Sequence, residues 1–250
     1  MMPLHLKEVR PEDLGEVTLL VGDPARVAVL AEAWDEAEEI CNNREYKLIS
    51  GYWKGRKVSV CSTGIGISST EIAVIELIEL GARMLVRVGG CGAWQKHIAP
   101  GDLIVNHAMA REAGTLGAYV PDGYPAVADS LLVGALLRTA HEQGFTVHTG
   151  IGLTTQTYYL GQGRKPAIGQ GPNPEDLMSY WQLRGILNCE METAAIYVLA
   201  SMYGVRAANC LVAHVSRTTE QWVPDADYHT IHAKAATAVL DACFTLRNDI

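Results

Sequence analysis

No stretch of the chain approaches the roughly 20 consecutive apolar residues that a membrane span requires. The first residues mix Lys7, Glu8, Arg10, Glu12 and Asp13 with few apolar ones, so no secretory leader is expected there. Basic charge is in deficit, with 20 Lys and Arg against 28 Asp and Glu, a net charge of −8. That excludes a general nucleic-acid or membrane-surface binder and leaves room only for local basic sites that hold a small anion. The six cysteines form no Cys-x-x-Cys pair and have no His at zinc spacing. Those in the apolar runs 58–61 and 209–212 read as small core residues, and the set as reduced thiols of a cytoplasmic protein. Charged residues make up only 19% and hydrophobic ones 48%, which excludes disorder as the main state. No internal repeat or low-complexity tract is visible, and one domain spanning residues 1–250 is expected.

What is present is an alternation of short β-rich segments with segments of helical period. Strands are expected at 17–21, 45–52, 57–62, 84–88, 102–107, 145–155, 187–190 and 208–215. Helices are expected at about 24–34, 68–80, 129–143, 175–183, 193–203 and 228–246. Asp23 is placed to cap the first helix with Pro24 in its first position, and Gly81 and Gly144 to end two others. The alternation predicts an α/β fold with a mostly parallel sheet and connections on both faces. Two stretches rich in Gly and Pro, 112–125 and 161–174, read as surface loops near a site.

Ligands of open α/β sheets gather beyond the carboxyl ends of the strands, and several unusual residues fall there. Gly22 and Arg26 follow the first strand, and Thr63-Gly-Ile-Gly66 follows another. Arg87 lies inside the run 84–88, just before Gly89-Gly-Cys-Gly92. An arginine in a core strand is expensive unless a protein carboxylate or a bound anion pairs with it. Neighbouring glycines, which bring backbone N–H groups close to a ligand, favour a phosphate-like anion. These glycines are no dinucleotide fingerprint, because 64–69 lacks the third glycine and the acid further on. Glu190-Met191-Glu192 follows a strand and opens a helix. It reads either as ordinary acids at a helix N-terminus or as a carboxylate accepting both hydrogens of a vicinal diol.

Six motifs in order carry a resemblance over nearly the whole chain: Gly22-Asp-Pro-Ala-Arg26, Asn43-Arg44-Glu45-Tyr46, Cys61-Ser-Thr-Gly-Ile-Gly66, Arg87-Val-Gly-Gly-Cys-Gly92, Gln162-Gly-Arg164 and Asn188-Cys-Glu-Met-Glu-Thr193. Together they resemble the nucleoside phosphorylase superfamily, most closely its bacterial-type uridine phosphorylases. The resemblance implies a three-layer α/β/α fold around a mixed sheet. It also implies phosphorolysis of a pyrimidine nucleoside, uridine first, to free base and ribose 1-phosphate in nucleoside salvage. Inorganic phosphate would be the co-substrate, with no organic cofactor. Phosphate would fall on Gly22, Arg26, Arg87, Gly90 and, from an adjacent subunit, Arg44. Ribose would fall on Glu190, Met191, Glu192 and a neighbour's His5, and the base on Tyr158, Gln162, Arg164 and Arg217. Arg87, Gln162 and Arg164 would carry the chemistry by holding phosphate beneath C1′ and stabilising the departing base. A monovalent cation such as potassium would sit between subunits on Glu45, Ile65 and Ser69, within dimers assembled into a hexamer.

Two departures from the family pattern stand out. The hydroxyl residue that follows Arg-x-Gly in the family is replaced here by Gly90, and the segment His214-Val-Ser-Arg217 is shorter than in uridine phosphorylases. Purine-specific relatives place an aspartate after Val-Ser, where this chain has Arg217, which either assists charge on the departing base or pairs with Glu220. Three rival readings stay open at this point: a nucleosidase, a purine nucleoside phosphorylase of the same fold, and a catalytically weak nucleoside-binding or storage protein. Arg26, Arg44 and Arg87 weigh against the first, Arg217 weighs against the second, and Gly90 favours the third.

Overall fold

The computed structural model describes residues 3–112, 114–168 and 174–246. One sheet is built from β1 (Val17–Val21), β2 (Asp35–Asn43), β3 (Tyr46–Trp53), β4 (Arg56–Ser62), β5 (Met84–Ala93) and β6 (Leu103–Arg111). It also takes in β7 (Ala126–Val127), β8 (Val147–Thr154), β9 (Asn188–Glu190), β10 (Arg206–Ser216) and β11 (Gln221–Trp222). The helices are α1 (Ala25–Ala31), α2 (Ile67–Glu79), α3 (Ser130–Glu142), α4 (Pro174–Gln182), α5 (Thr193–Tyr203) and α6 (Asp225–Thr245).

The period of two along β1 explains the layers. Val17, Leu19 and Val21 pack with α1, α3 and α6 on one face, while Leu20 packs with α2 and α5 on the other. The strand is therefore buried along its whole length, as a parallel strand between helix layers must be. β1 pairs in parallel with β4 and β5, and β5 in parallel with β10. From there the sheet curls: β10 pairs with β6, β6 with β8, β8 with β9 and β9 back onto β5, which closes a ring of five strands. Gly22 after β1, Gly64 after β4, Arg87 on β5 and Glu190 at the end of β9 are thereby brought to one region.

Three local expectations need correction. β5 does not stop at Val88 but runs through Gly89, Gly90 and Gly92 to Ala93. These glycines serve close approach within a strand, since a Cβ on Gly89 would lie 2.9 Å from Cζ of Arg87. β2 was not expected, because it is an acid-rich, mostly exposed edge strand with no apolar alternation to reveal it. Pro24 stands one residue earlier than expected, at the cap of α1, while Asp23 still accepts from the Ala25 N–H at 2.9 Å.

Beside a small apolar cluster that includes Cys91, Ile104 and Leu211, the ring encloses a buried polar network. Asn106 of β6 donates from Nδ2 to Oδ1 of Asn188 (2.8 Å), and Asn209 Nδ2 donates to Oδ1 of Asn106 (3.0 Å). The Asn106 N–H donates to Asn209 Oδ1 and the Tyr197 hydroxyl to the Asn106 carbonyl, both at 2.8 Å. All three asparagines are fully buried. Replacing Asn106 with Leu should take from Asn209 Nδ2 its nearer acceptor and from Asn188 Oδ1 its donor, at a cost of about 2–4 kcal/mol. Urea unfolding should show this as a lowered midpoint at unchanged slope, and a loss below about 1 kcal/mol would mean that the network re-pairs without Asn106.

Candidate active site

Arg87 sits on β5 between Leu20 of β1 and Asn209 of β10 and is only 3% exposed. Its Nε donates to Glu190 Oε2 at 3.1 Å and its Nη2 to Glu192 Oε2 at 2.5 Å. Burial disfavours its charge, but Glu192 and then Glu190 outweigh that and hold its pKa above the ordinary arginine value. Nη1 is left buried without a partner among the described residues.

The two acids of the Glu-Met-Glu motif have different tasks. β9 ends at Glu190 and α5 begins at Thr193, so the Glu190 side chain folds back over the first N–H groups of the helix. Its Oε2 accepts from the N–H groups of Glu192 (3.0 Å) and Thr193 (2.8 Å) and from the Thr193 hydroxyl (2.8 Å). Its Oε1 accepts from the Thr154 hydroxyl at 2.5 Å. With Arg87 added, this carboxylate is saturated by protein donors, so Glu190 positions Arg87 and α5 rather than reaching for a diol. Glu192 is less committed, accepting from the Gly66 N–H (2.7 Å) and from Arg87. Burial pushes its carboxyl pKa up, opposed by Arg87.

Two adjoining cavities share Arg26, Ile65 and Glu192. The first, about 490 Å³, is walled by Gly22, Arg26, Gly64, Arg87 and Glu192. A Cβ on Gly22 would lie 3.7 Å from Arg26 Nη2 and 4.0 Å from Arg87 Nη1, so two guanidinium ends converge over that glycine. Nε and Nη1 of Arg26 are also buried without partners among the described residues. Burial lowers the pKa of Arg26, and nearby Arg87 adds to the effect. Unpaired buried donors around a glycine form a seat for an anion with several oxygens. Glu45, Ile65 and Ser69 meet at the same cavity, the Ser69 hydroxyl donating to Glu45 Oε1 at 3.0 Å.

The second cavity, about 230 Å³, has Gly90, Met191 and Glu192 at one end and Tyr158, Gln162 and Arg164 at the other. A short turn, Leu160–Gln162, is closed by Gly163 in the left-handed region (φ 67°), which sets Gln162 and Arg164 on the same wall. The Arg164 guanidinium lies over the rings of Tyr158 (4.7 Å) and Trp222 (5.6 Å). Arg217 does not line this cavity. Its Nη1 donates to the Gln162 carbonyl (2.7 Å), Nη2 to the Gly163 carbonyl (3.1 Å) and Nε to Glu220 (3.1 Å). It clamps the turn from behind, so of its two expected roles the pairing with Glu220 is the one present, and its place against the base is corrected.

Arg44 and His5 line neither cavity of their own chain. Arg44 is exposed, in the left-handed region at φ 56°, and His5 is held by Glu76 at 2.8 Å. Sequence reasoning missed His214, Trp222 and Tyr228, all of which face the second cavity. The signal for His214 was the one that flagged Arg87, a polar residue inside an apolar strand; the two aromatics lie in a polar stretch with no local signature.

The Phosphorylase superfamily profile matches residues 16–245. A uridine phosphorylase of Thermococcus kodakarensis is 42% identical over 214 residues, 85% of this chain and 77% of that protein. A guanosine phosphorylase of Halorubrum lacusprofundi is 33% identical over 205 residues, 82% of this chain and 80% of that protein. A crystal structure of uridine phosphorylase from Vibrio fischeri superposes with a TM-score of 0.87 at 30% identity, covering 98% of both chains.

An anion seated between Arg26 and Arg87 should stabilise the fold by linkage. Inorganic phosphate at about 100 times its dissociation constant is expected to add about 2.7 kcal/mol, read as a raised thermal midpoint. Arg26→Ala should lose most of that rise, and an undiminished rise in the variant would place the anion elsewhere.

Proposed function

Because the chain belongs to the phosphorylase superfamily, which it matches over residues 16–245, we propose that it cleaves uridine by phosphorolysis, giving uracil and ribose 1-phosphate. The observation that carries this reading is the pair of adjoining cavities. One presents unpaired guanidinium donors, the other an amide and a guanidinium, and Glu192 stands where they meet.

In this reading phosphate lies over Gly22, held by Arg26 and Arg87, with Gly90 on the wall between it and the sugar. A phosphate oxygen forms the new bond to C1′ as the glycosidic bond breaks, and its electron pair leaves with the base. Gln162 pairs with N3–H and a carbonyl of uracil, while Arg164 donates to O4 and stabilises the charge growing on the ring. Tyr158 flanks the base, Met191 packs on the sugar and Glu192 accepts from its hydroxyls. Arg44 and His5 serve the site of an adjacent subunit, in a homodimer assembled into a hexamer. The carboxylate of Glu45, the hydroxyl of Ser69 and the carbonyl of Ile65 are oxygen donors that fit a monovalent cation such as potassium. Bound there, it would add positive charge beside the phosphate. The enzyme acts in the cytoplasm as one domain. Against a purine substrate, no carboxylate follows Ser216, and Arg217 is occupied by the base loop.

Uracil release from uridine should require phosphate, and uridine should turn over faster than inosine. Equal release in phosphate-free buffer would make the protein a nucleosidase, and a preference for inosine would reverse the pyrimidine reading.

A shared site also predicts complementation. Arg44→Ala and Arg87→Ala proteins should each be impaired, yet mixing them with subunit exchange should restore up to about a quarter of native sites in random isologous dimers. No recovery after confirmed exchange would mean that Arg44 serves its own chain.

A further inference from the structure

The ring of His214 fills the space above Gly90. A Cβ built on that glycine would lie 1.8 Å from Cε1, 2.2 Å from Nδ1 and 2.4 Å from Nε2 of His214, so no side chain fits there while the ring is in place. The backbone of β10 explains how the ring arrives. β10 follows β5 in register with Val212 opposite Gly90 and Ala213 opposite Cys91, but Val215 is opposite Gly92, and the register slips around His214. Such a bulge re-aims the side chain of its extra residue. Here it turns an imidazole across the neighbouring strand, onto the wall of the cavity that also carries Arg26, Glu192 and Tyr228.

The hydrogen bonds fix which nitrogen carries the proton. Nε2 of His214 lies 2.6 Å from Nε2 of His232, so one ring donates and the other accepts. Both imidazoles are neutral at physiological pH. Burial and the nearby Arg26 and Arg87 push His214 down to about 4, and burial, Arg26 and His214 push His232 down to about 2. Nδ1 of His232 is buried with no partner among the described residues. An orphaned N–H is the costlier of the two vacancies, so this Nδ1 is the unprotonated one. The His232 proton then sits on Nε2 and is donated to Nε2 of His214. The single proton of neutral His214 is left on Nδ1, which bonds to no described residue and is not among the buried unpartnered atoms. The result is an oriented N–H donor on the wall of the second cavity, which it shares with Arg26 and Glu192.

We propose that His214 is a ligand-binding residue of this site, its Nδ1–H donating to the phosphate at the ribose side, and that Gly90 is there to admit its ring. Where relatives carry a hydroxyl on the strand of Arg87, this chain supplies the donor from β10. His232 positions it by fixing the tautomer. The proposal rests on the phosphorolysis reading, and it deepens that reading by naming a second donor set for the anion.

The test uses inorganic phosphate as the probe. His214→Phe keeps an aromatic ring and removes the donor, and the exchange pair Gly90→Thr with His214→Gly moves a hydroxyl back onto β5. Phosphate titrations followed by thermal unfolding should show binding weakened by roughly 10- to 100-fold in His214→Phe, the loss of one hydrogen bond to a charged acceptor. The double variant should bind phosphate more tightly than His214→Gly alone, and Gly90→Thr alone should be the least stable protein of the set. Native-like phosphate binding by His214→Phe would overturn the proposal, as would a double variant no better than His214→Gly. Should His214→Phe fail to fold, the comparison of double and single variants decides alone. Absence of any phosphate-induced shift in the native protein would also overturn it. Uridine cleavage is scored separately: a native protein that binds phosphate through His214 but releases no uracil would sink the phosphorolysis reading and leave the assignment of His214 standing.

Discussion

A guanidinium removed from water in the middle of a mixed sheet, between two parallel neighbours, must be neutralised, and much of this structure is the consequence. Arg87 is held by two carboxylates, and Glu190, the inner one, is itself held by the first N–H groups of α5 and by the hydroxyls of Thr154 and Thr193. Asn209 donates to the same Thr193 hydroxyl at 3.3 Å, which ties the asparagine network of the strand ring to the arginine. A buried ion pair of this kind adds little net stability. Its value lies in direction, because two nitrogens of Arg87 are fixed by protein and the third is left aimed towards Gly22.

Glu192 is where the two halves of the site meet. It accepts from Arg87 and from the Gly66 N–H. A sugar diol placed against it therefore competes with groups that also shape the anion seat. The two cavities thus share one carboxylate, and that carboxylate is bonded to the arginine of the first. The turn that carries Gln162 and Arg164 is braced independently by Arg217, so the base end of the site is anchored to β10 rather than to β5.

Hydrophobic period and turn chemistry made most strands and helices legible, α5 and β1 to the residue. β2 was hidden because its acids face solvent at a sheet edge and leave no pattern. The strand was expected to stop at Val88 because nothing local shows that His214 and the Arg87 side chain will occupy the space beside the glycines that follow. Glu190 and Glu192 were indistinguishable in sequence, since two acids at a strand–helix junction differ only in which one folds back over the helix. The pairing of Arg217 with Glu220 was legible, but its clamp on the turn was not, because its carbonyl partners lie more than 50 residues away in the chain. The readable features are those set by neighbours in sequence, and the unread ones depend on contacts that only the closed ring creates.

That ring also dictates an order of events. Arg87 and Glu190 are 103 residues apart along the chain, and β5 finds one of its two ring neighbours, β10, later still. On a growing polypeptide the arginine strand emerges long before either of its counter-charges exists. Until they arrive, hydration is the better home for its guanidinium, and β5 gains little by settling beside β1. Contacts of such long sequence separation form late and slowly. The Arg87 side of the anion seat is therefore set only when the ring closes, whereas Gly22 and Arg26 come from the β1–α1 segment at the chain's start.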